Sequence, residues 1–119
     1  MIIMIIKNGL VVDPALGLSE KMDLAIENGT LLKIEKNIDT DQVSNDTEIL
    51  DATGLVVAPG LIDTHVHFRD PGFTYKEDLH TGALAAAKGG FTSVICMANT
   101  SPVVDSLPVL KDLIDRYKN

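Results

Sequence analysis

The sequence has little cysteine and few aromatic side chains, and it contains no tryptophan. Its single cysteine, Cys96, excludes an internal disulfide and is typical of a reducing compartment, so we expect a cytoplasmic protein. Lys and Arg number 10 against 17 Asp and Glu, and the net charge of −7 argues against a nucleic-acid-binding surface. The apolar segment 1–6 is too short to span a membrane and lacks signal-peptide architecture. We therefore expect neither nucleic acid nor membrane as a partner.

The composition that remains is that of an ordered globular chain, with 45% hydrophobic and 23% charged residues. Residues 1–54 are predicted to form short antiparallel strands. Two of these strands, over 23–27 and 31–35, flank Asn28-Gly29, which is a strong hairpin signal. The first part of the chain is therefore expected to be a small β domain.

From residue 55 onwards the pattern alternates between strands and helices. The predicted elements are strands over 55–62 and 91–98 and helices over 74–88 and 106–117. Thr74 has the form of a capping-box N-cap for the first helix, and Gly89-Gly90 is expected to end it. Two successive strand-helix units imply parallel strands joined by a right-handed crossover. Cys96 lies in the second predicted strand and is interpreted as a packing residue. The second helix has a predicted apolar face of Leu107, Leu110, Ile114 and Tyr117.

The most informative motif is His65-Val66-His67. Side chains two positions apart in a strand point to the same face, so both imidazoles are expected to project together. Two such imidazoles are half of a transition-metal site, and zinc commonly takes them. A His-x-His pair is also common on exposed strands, but this one falls at the carboxyl end of a buried-type strand, where barrels carry functional residues. His80 falls on the first predicted helix and is interpreted as an ordinary helix residue.

The segment Pro59-Gly60-Leu61-Ile62-Asp63-Thr64-His65-Val66-His67 resembles the first barrel strand of the amidohydrolase superfamily. Its continuation, Phe68-Arg69-Asp70-Pro71-Gly72, and the later Met97-Ala98-Asn99-Thr100-Ser101-Pro102 are similar to dihydroorotases in particular. The resemblance implies an α/β fold. Residues 55–119 would be the first two strand-helix units of a (β/α)8 TIM-type barrel, and residues 1–54 part of a small β-sandwich. A complete barrel needs about 250 residues, so the 119 residues are expected to be an amino-terminal portion.

The resemblance also implies a reaction, the reversible interconversion of (S)-dihydroorotate and N-carbamoyl-L-aspartate in pyrimidine biosynthesis. In this family a binuclear zinc centre activates a hydroxide for attack on the cyclic amide. His65 and His67 match the histidine ligands of the first metal. The other ligands and the acid/base aspartate lie farther along the family's chain. No catalytic residue is therefore assigned here, and these residues alone are expected to be inactive.

Substrate binding is assigned by the resemblance to His67, Arg69 and Asn99. The substrate carries a carboxylate, which a guanidinium group binds bidentately. Arg69 is therefore the residue that indicates specificity for this substrate. An exposed surface arginine and a turn-forming asparagine are the alternative interpretations of Arg69 and Asn99. Asp63 is interpreted as a hydrogen-bond partner behind the metal ligands, and Asp70 as a loop residue.

Two other functions stay open at this point. One is a different cyclic amidohydrolase, such as an allantoinase or hydantoinase, although these as a rule lack arginine directly after the His-x-His strand. The other is a truncated, non-catalytic assembly partner. For the leading interpretation we expect a small-molecule substrate and a homo-oligomer.

Overall fold

The computed structural model describes residues 4–41 and 43–118. The chain divides after Pro59 into two compact units. The sequence predicts this division after residue 54. The structure extends the first unit because Val56–Val57 pairs with the first strand of the chain instead of opening the second unit.

In the described part of the chain, the first unit forms a mixed sheet of five strands. They are β1 (Met4–Asp13), β2 (Leu18–Glu27), β3 (Thr30–Glu35), β4 (Glu48–Asp51) and β5 (Val56–Val57). The order is β3-β2-β1-β4, and β5 also pairs with β1. β2 is antiparallel to β1 and β3, whereas β4 and β5 run parallel to β1. The prediction of antiparallel strands over residues 1–54 is therefore wrong for β4, because the long connection after β3 lets the chain return alongside β1 in the same direction.

The hairpin between β2 and β3 is confirmed. Asn28 and Gly29 have φ values of 49° and 74°, and positive φ at both positions is what a type I′ turn requires. The pairing of β2 with β1 places Ala25 opposite Ile5, and both side chains are completely buried. Ile38 packs against them and completes the small apolar core of this unit.

The second unit alternates strands and helices, as the sequence predicts. Its elements are β6 (Leu61–Val66), α1 (Leu79–Lys88), β7 (Phe91–Cys96) and α2 (Leu107–Arg116). β6 and β7 pair in parallel, which confirms the predicted direction. β6 begins at Leu61 and not at residue 55. Val56–Val57 pairs with β1 in the first sheet, and Pro59 has no backbone N–H to donate to a neighbouring strand. A Cβ at Gly60 would lie 2.1 Å from Thr92 Oγ1, so the start of β6 requires glycine.

Helix α1 begins at Leu79, so the prediction that Thr74 caps it is wrong. Asp78 is the N-cap: its carboxylate accepts from the Thr81 N–H at 2.8 Å, and the Thr81 hydroxyl accepts from the Asp78 N–H at 3.3 Å. The bonds from the Thr81 backbone and side chain lower the pKa of Asp78. A carboxylate is a strong acceptor for this position, and it starts the helix one turn later than the threonine would. Gly89-Gly90 ends the helix as predicted.

Helix α2 lies between Ser106 and Tyr117, as predicted. Its buried residue is Leu113, which the predicted face omits, while Leu107 is 75% exposed. The predicted apolar face is therefore wrong at Leu107 and Leu113. Leu110, Leu113 and Tyr117 have helical spacing as well, so periodicity alone does not distinguish this face from the predicted one. Neither helix of the described ranges is long and apolar enough to cross a membrane.

The interpretation of Cys96 as a buried packing residue is wrong, because its side chain is exposed. Among the described residues, β7 pairs with β6 alone, and Ile62 and Ile95 on these strands are exposed as well. Partial burial still raises the pKa of the Cys96 thiol.

Candidate metal and substrate site

The structure brings the two predicted metal-binding histidines together. His65 lies in β6, and His67 follows one residue after the strand ends. Their ring centroids are 5.2 Å apart, and the ring planes meet at 60°. The two imidazoles therefore project as neighbours at the carboxyl end of β6.

This spacing fits a shared zinc ion. Two imidazoles on one tetrahedral zinc, with Zn–N bonds of about 2.0–2.1 Å, have ring centroids about 5 Å apart. Within residues 4–41 and 43–118, no group of three or more His, Cys, Asp and Glu side chains is placed to hold a metal. If a metal binds here, the described residues would supply two nitrogen ligands, which is half of a four-coordinate shell.

Asn99 lies beside this pair, in the connection that follows the neighbouring strand β7. The Met97 N–H donates to Val66 O at 2.8 Å, which continues the β6–β7 pairing to the strand ends. Asn99 Oδ1 then lies 3.0 Å from His67 Nδ1. His65, His67 and Asn99 line one open depression of about 500 Å³, together with Met97, Ala98 and Val103. The proximity is expected because the carboxyl ends of paired parallel strands meet at one edge of a sheet. No local sequence pattern predicts the hydrogen bond between Asn99 and His67.

Asp63 contacts the histidine segment through the backbone. Its Oδ1 accepts a hydrogen bond from the His65 N–H at 2.9 Å, so the carboxylate fixes the main chain of β6 and not an imidazole ring. Asp63 is thus a hydrogen-bond partner of a predicted ligand residue through its backbone, and its role behind a metal stays a prediction. His80 lies on α1 and is exposed, on a different element from the pair.

Arg69 stands apart from the histidine depression. Its backbone has a positive φ of 61°, and it lines a cavity of about 520 Å³ between its loop and α2. In the part of the chain that the structure describes, its guanidinium has no hydrogen-bonding or ion-pair partner. The Arg69 guanidinium is therefore available to bind a ligand, but the structure does not place it in the depression beside Asn99.

Sequence reasoning missed the role of Asp70. Its side chain is fully buried, and both carboxylate oxygens accept from the Arg116 guanidinium, at 3.2 and 2.9 Å. The Tyr117 hydroxyl also donates to this carboxylate. The bond to Asp70 raises the pKa of both Arg116 and Tyr117. Asp70 is thus the anchor between the loop after β6 and the end of α2, not a simple loop residue.

Two close approaches hold the same loop. Phe68 is buried against α1, where a Cβ at Gly82 would lie 2.5 Å from Phe68 Cδ1. Gly72 has a φ of 92°, and a Cβ there would lie 2.0 Å from Ser101 O. The loop that carries Arg69 is therefore fixed on both sides by contacts that admit only glycine.

The histidine pair leads to a first prediction. Zinc added to the protein should shift the imidazole NMR resonances of His65 and His67 together, because their rings are positioned to share one ion. The affinity should be weak, since two nitrogens leave half of the shell to water. His80 is the internal control and should move little. An equal response at all three histidines would contradict a shared site.

Known structures with the same fold define the class of the chain. L-hydantoinase (dihydropyrimidinase) from Arthrobacter aurescens superposes with a TM-score of 0.80 and 28% identity, over 94% of this chain and 24% of that one. D-hydantoinase (dihydropyrimidinase) from Thermus sp. superposes with a TM-score of 0.64 and 36% identity, over 80% of this chain and 20% of that one. The fold of the chain is thus similar to the corresponding part of hydantoinase-type α/β proteins.

Sequence comparison narrows this class. The dihydro-orotase-like family model matches residues 54–118, and the chain belongs to this family. Dihydroorotase of Streptococcus thermophilus is 54% identical over 93% of this chain and 25% of its own length. Dihydroorotase of Aquifex aeolicus is 46% identical over 100% of this chain and 27% of its own length. The chain spans about a quarter of the length of these curated relatives.

Proposed function

We propose that this chain forms part of a zinc-dependent dihydroorotase of pyrimidine biosynthesis, which interconverts (S)-dihydroorotate and N-carbamoyl-L-aspartate. The observation that carries the proposal is the placement of His65 and His67 as neighbours at the end of β6, with Asn99 beside them at the end of β7. Membership in the dihydro-orotase-like family supports this choice of reaction.

His65 and His67 would hold one zinc ion through ring nitrogens. A zinc ion bound there supplies Lewis acidity, which polarises the amide carbonyl and activates water at neutral pH. The proposal assigns the ligands of a second metal and the acid/base aspartate to positions outside these 119 residues. It assigns no catalytic residue within them.

The architecture that we propose for the complete enzyme is a (β/α)8 barrel. Residues 55–119 would contain its first two strand-helix units, and residues 1–54 part of a β-sandwich. The parallel pairing of β6 and β7 supports this assignment, as does the position of the histidines at the carboxyl end of a strand, where such barrels carry their sites. A cytoplasmic location and a homo-oligomeric state stay predictions.

Arg69 and Asn99 would bind the substrate carboxylate. The guanidinium of Arg69 has no hydrogen-bonding or ion-pair partner among the described residues. Its N–H groups are therefore available to bind a carboxylate bidentately. Asn99 uses its carbonyl on His67, which leaves the amide NH2 to donate to an anion. This assignment requires the Arg69 side chain to turn from the cavity beside α2 towards the depression.

A second candidate is a hydantoinase-like cyclic amidohydrolase, which the TM-score of 0.80 to an L-hydantoinase favours. The test is a substrate panel of dihydroorotate, hydantoin and allantoin, assayed on the complete enzyme with zinc. We expect turnover of dihydroorotate in preference to the two uncharged rings. Preference for hydantoin or allantoin would favour the alternative, and no turnover of any substrate would favour a non-catalytic assembly partner.

A further inference from the structure

The hydrogen bond between Asn99 and His67 has a direction. Asn99 Oδ1 lies 3.0 Å from His67 Nδ1, and a carbonyl oxygen can only accept. His67 Nδ1 must therefore carry a proton. In the neutral ring that leaves Nε2 without one, with its lone pair free.

The two histidines differ in this respect. The His67 ring is hydrogen-bonded to a residue 32 positions away, in the connection that follows β7. The His65 ring lies against the His67 ring, and among the described residues it has no hydrogen-bonding partner; the hydrogen bond of His65 to Asp63 comes from its backbone N–H. The fold thus selects a tautomer at His67 and, among the described residues, leaves His65 without such a constraint.

We propose that Asn99 is a positioning residue for His67: its carbonyl holds the Nδ1–H tautomer and presents Nε2 to the metal, while its NH2 is left to face an anionic substrate. Ligating histidines as a rule donate their second N–H to an acceptor that fixes the ring. This inference rests on the proposed function and deepens it, because one amide would then join the metal ligand to the substrate carboxylate.

A matched pair of substitutions distinguishes the role of the Asn99 carbonyl from the role of its NH2 group. Asn99→Asp retains an acceptor for Nδ1–H but removes the NH2 and adds a negative charge. Asn99→Leu removes both the acceptor and the donor at similar volume. If the inference is right, Asn99→Asp keeps the tautomer, does not weaken metal binding and weakens binding of the anionic substrate, whereas Asn99→Leu loses the tautomer and weakens metal binding.

The experiment reads the tautomer directly in the metal-free protein labelled with ¹⁵N-histidine, at a pH where imidazoles are neutral. We expect Nδ1–H at His67 in the wild type and in Asn99→Asp, and mainly Nε2–H in Asn99→Leu. Zinc affinity should fall about 10- to 100-fold in Asn99→Leu and should not fall in Asn99→Asp. In the complete enzyme, Asn99→Asp should raise KM for dihydroorotate much more than it lowers kcat.

His65 and His80 serve as internal references, whose tautomers should be the same in all three proteins. Nε2–H at His67 in the wild type would overturn the inference, and so would an unchanged tautomer and zinc affinity in Asn99→Leu. These measurements need neither substrate nor turnover. A failure of the proposed reaction with the tautomer intact would therefore be distinguishable from a failure of this inference.

Discussion

Replacing Arg69 with methionine in the complete enzyme is expected to lower kcat/KM for dihydroorotate by roughly 2–5 kcal/mol, or about 30- to 5,000-fold. Methionine keeps much of the apolar stem and removes only the fork that binds a carboxylate bidentately. The guanidinium has no partner among the described residues, so its removal should leave no neighbouring group unpaired. The measurement is steady-state kinetics together with zinc content, which should not change.

Lys76→Met is the matched control. It removes the same charge from the same loop, but the Lys76 ammonium is exposed and lies over the Phe73 and Tyr75 rings, 5.7 and 5.5 Å from their centroids. Its kcat/KM should stay within about twofold of the wild type, because an exposed charge contributes little. Near-normal kcat/KM in Arg69→Met, or an equal loss in Lys76→Met, would remove the reason for assigning the carboxylate to Arg69.

Local patterns predicted the features that depend on neighbours in sequence. Asn28-Gly29 forms its hairpin because the required positive φ values belong to those two residues. His65 and His67 lie close together because a strand repeats every two residues. Asn99 lies beside them because the carboxyl ends of paired parallel strands meet at one edge of a sheet.

The features that sequence reasoning missed depend on contacts between distant residues. Val56–Val57 has the same apolar character as the strand expected there, and only its pairing with Leu10 and Val11 assigns it to the first sheet. Asp70 and Arg116 are 46 positions apart, and neither helical nor strand periodicity relates them. The hydrogen bond from His67 to Asn99 likewise requires the register of two strands to be known.

The anchor at Asp70 gives the last prediction, which concerns stability. Arg116→Met should lower the free energy of unfolding by about 3–5 kcal/mol, because it leaves a buried carboxylate without its counterion. The Asp70 side chain is 0% exposed, whereas that of Arg116 is 40% exposed. Asp70→Asn should therefore cost less than Arg116→Met, since the freed guanidinium can reach water and still bond to Asp112 at 3.0 Å.

The double variant Asp70→Asn, Arg116→Met separates an ion pair from two independent residues. With the carboxylate neutralised, the buried charge disappears, so the double variant should be more stable than Arg116→Met alone. Urea unfolding of the wild type, both single variants and the double variant gives the coupling energy, with Lys118→Met as a control for loss of a nearby exposed cation. A loss below about 0.5 kcal/mol in Arg116→Met, as for an ordinary surface pair, would mean that Asp70 does not anchor the loop that carries Arg69.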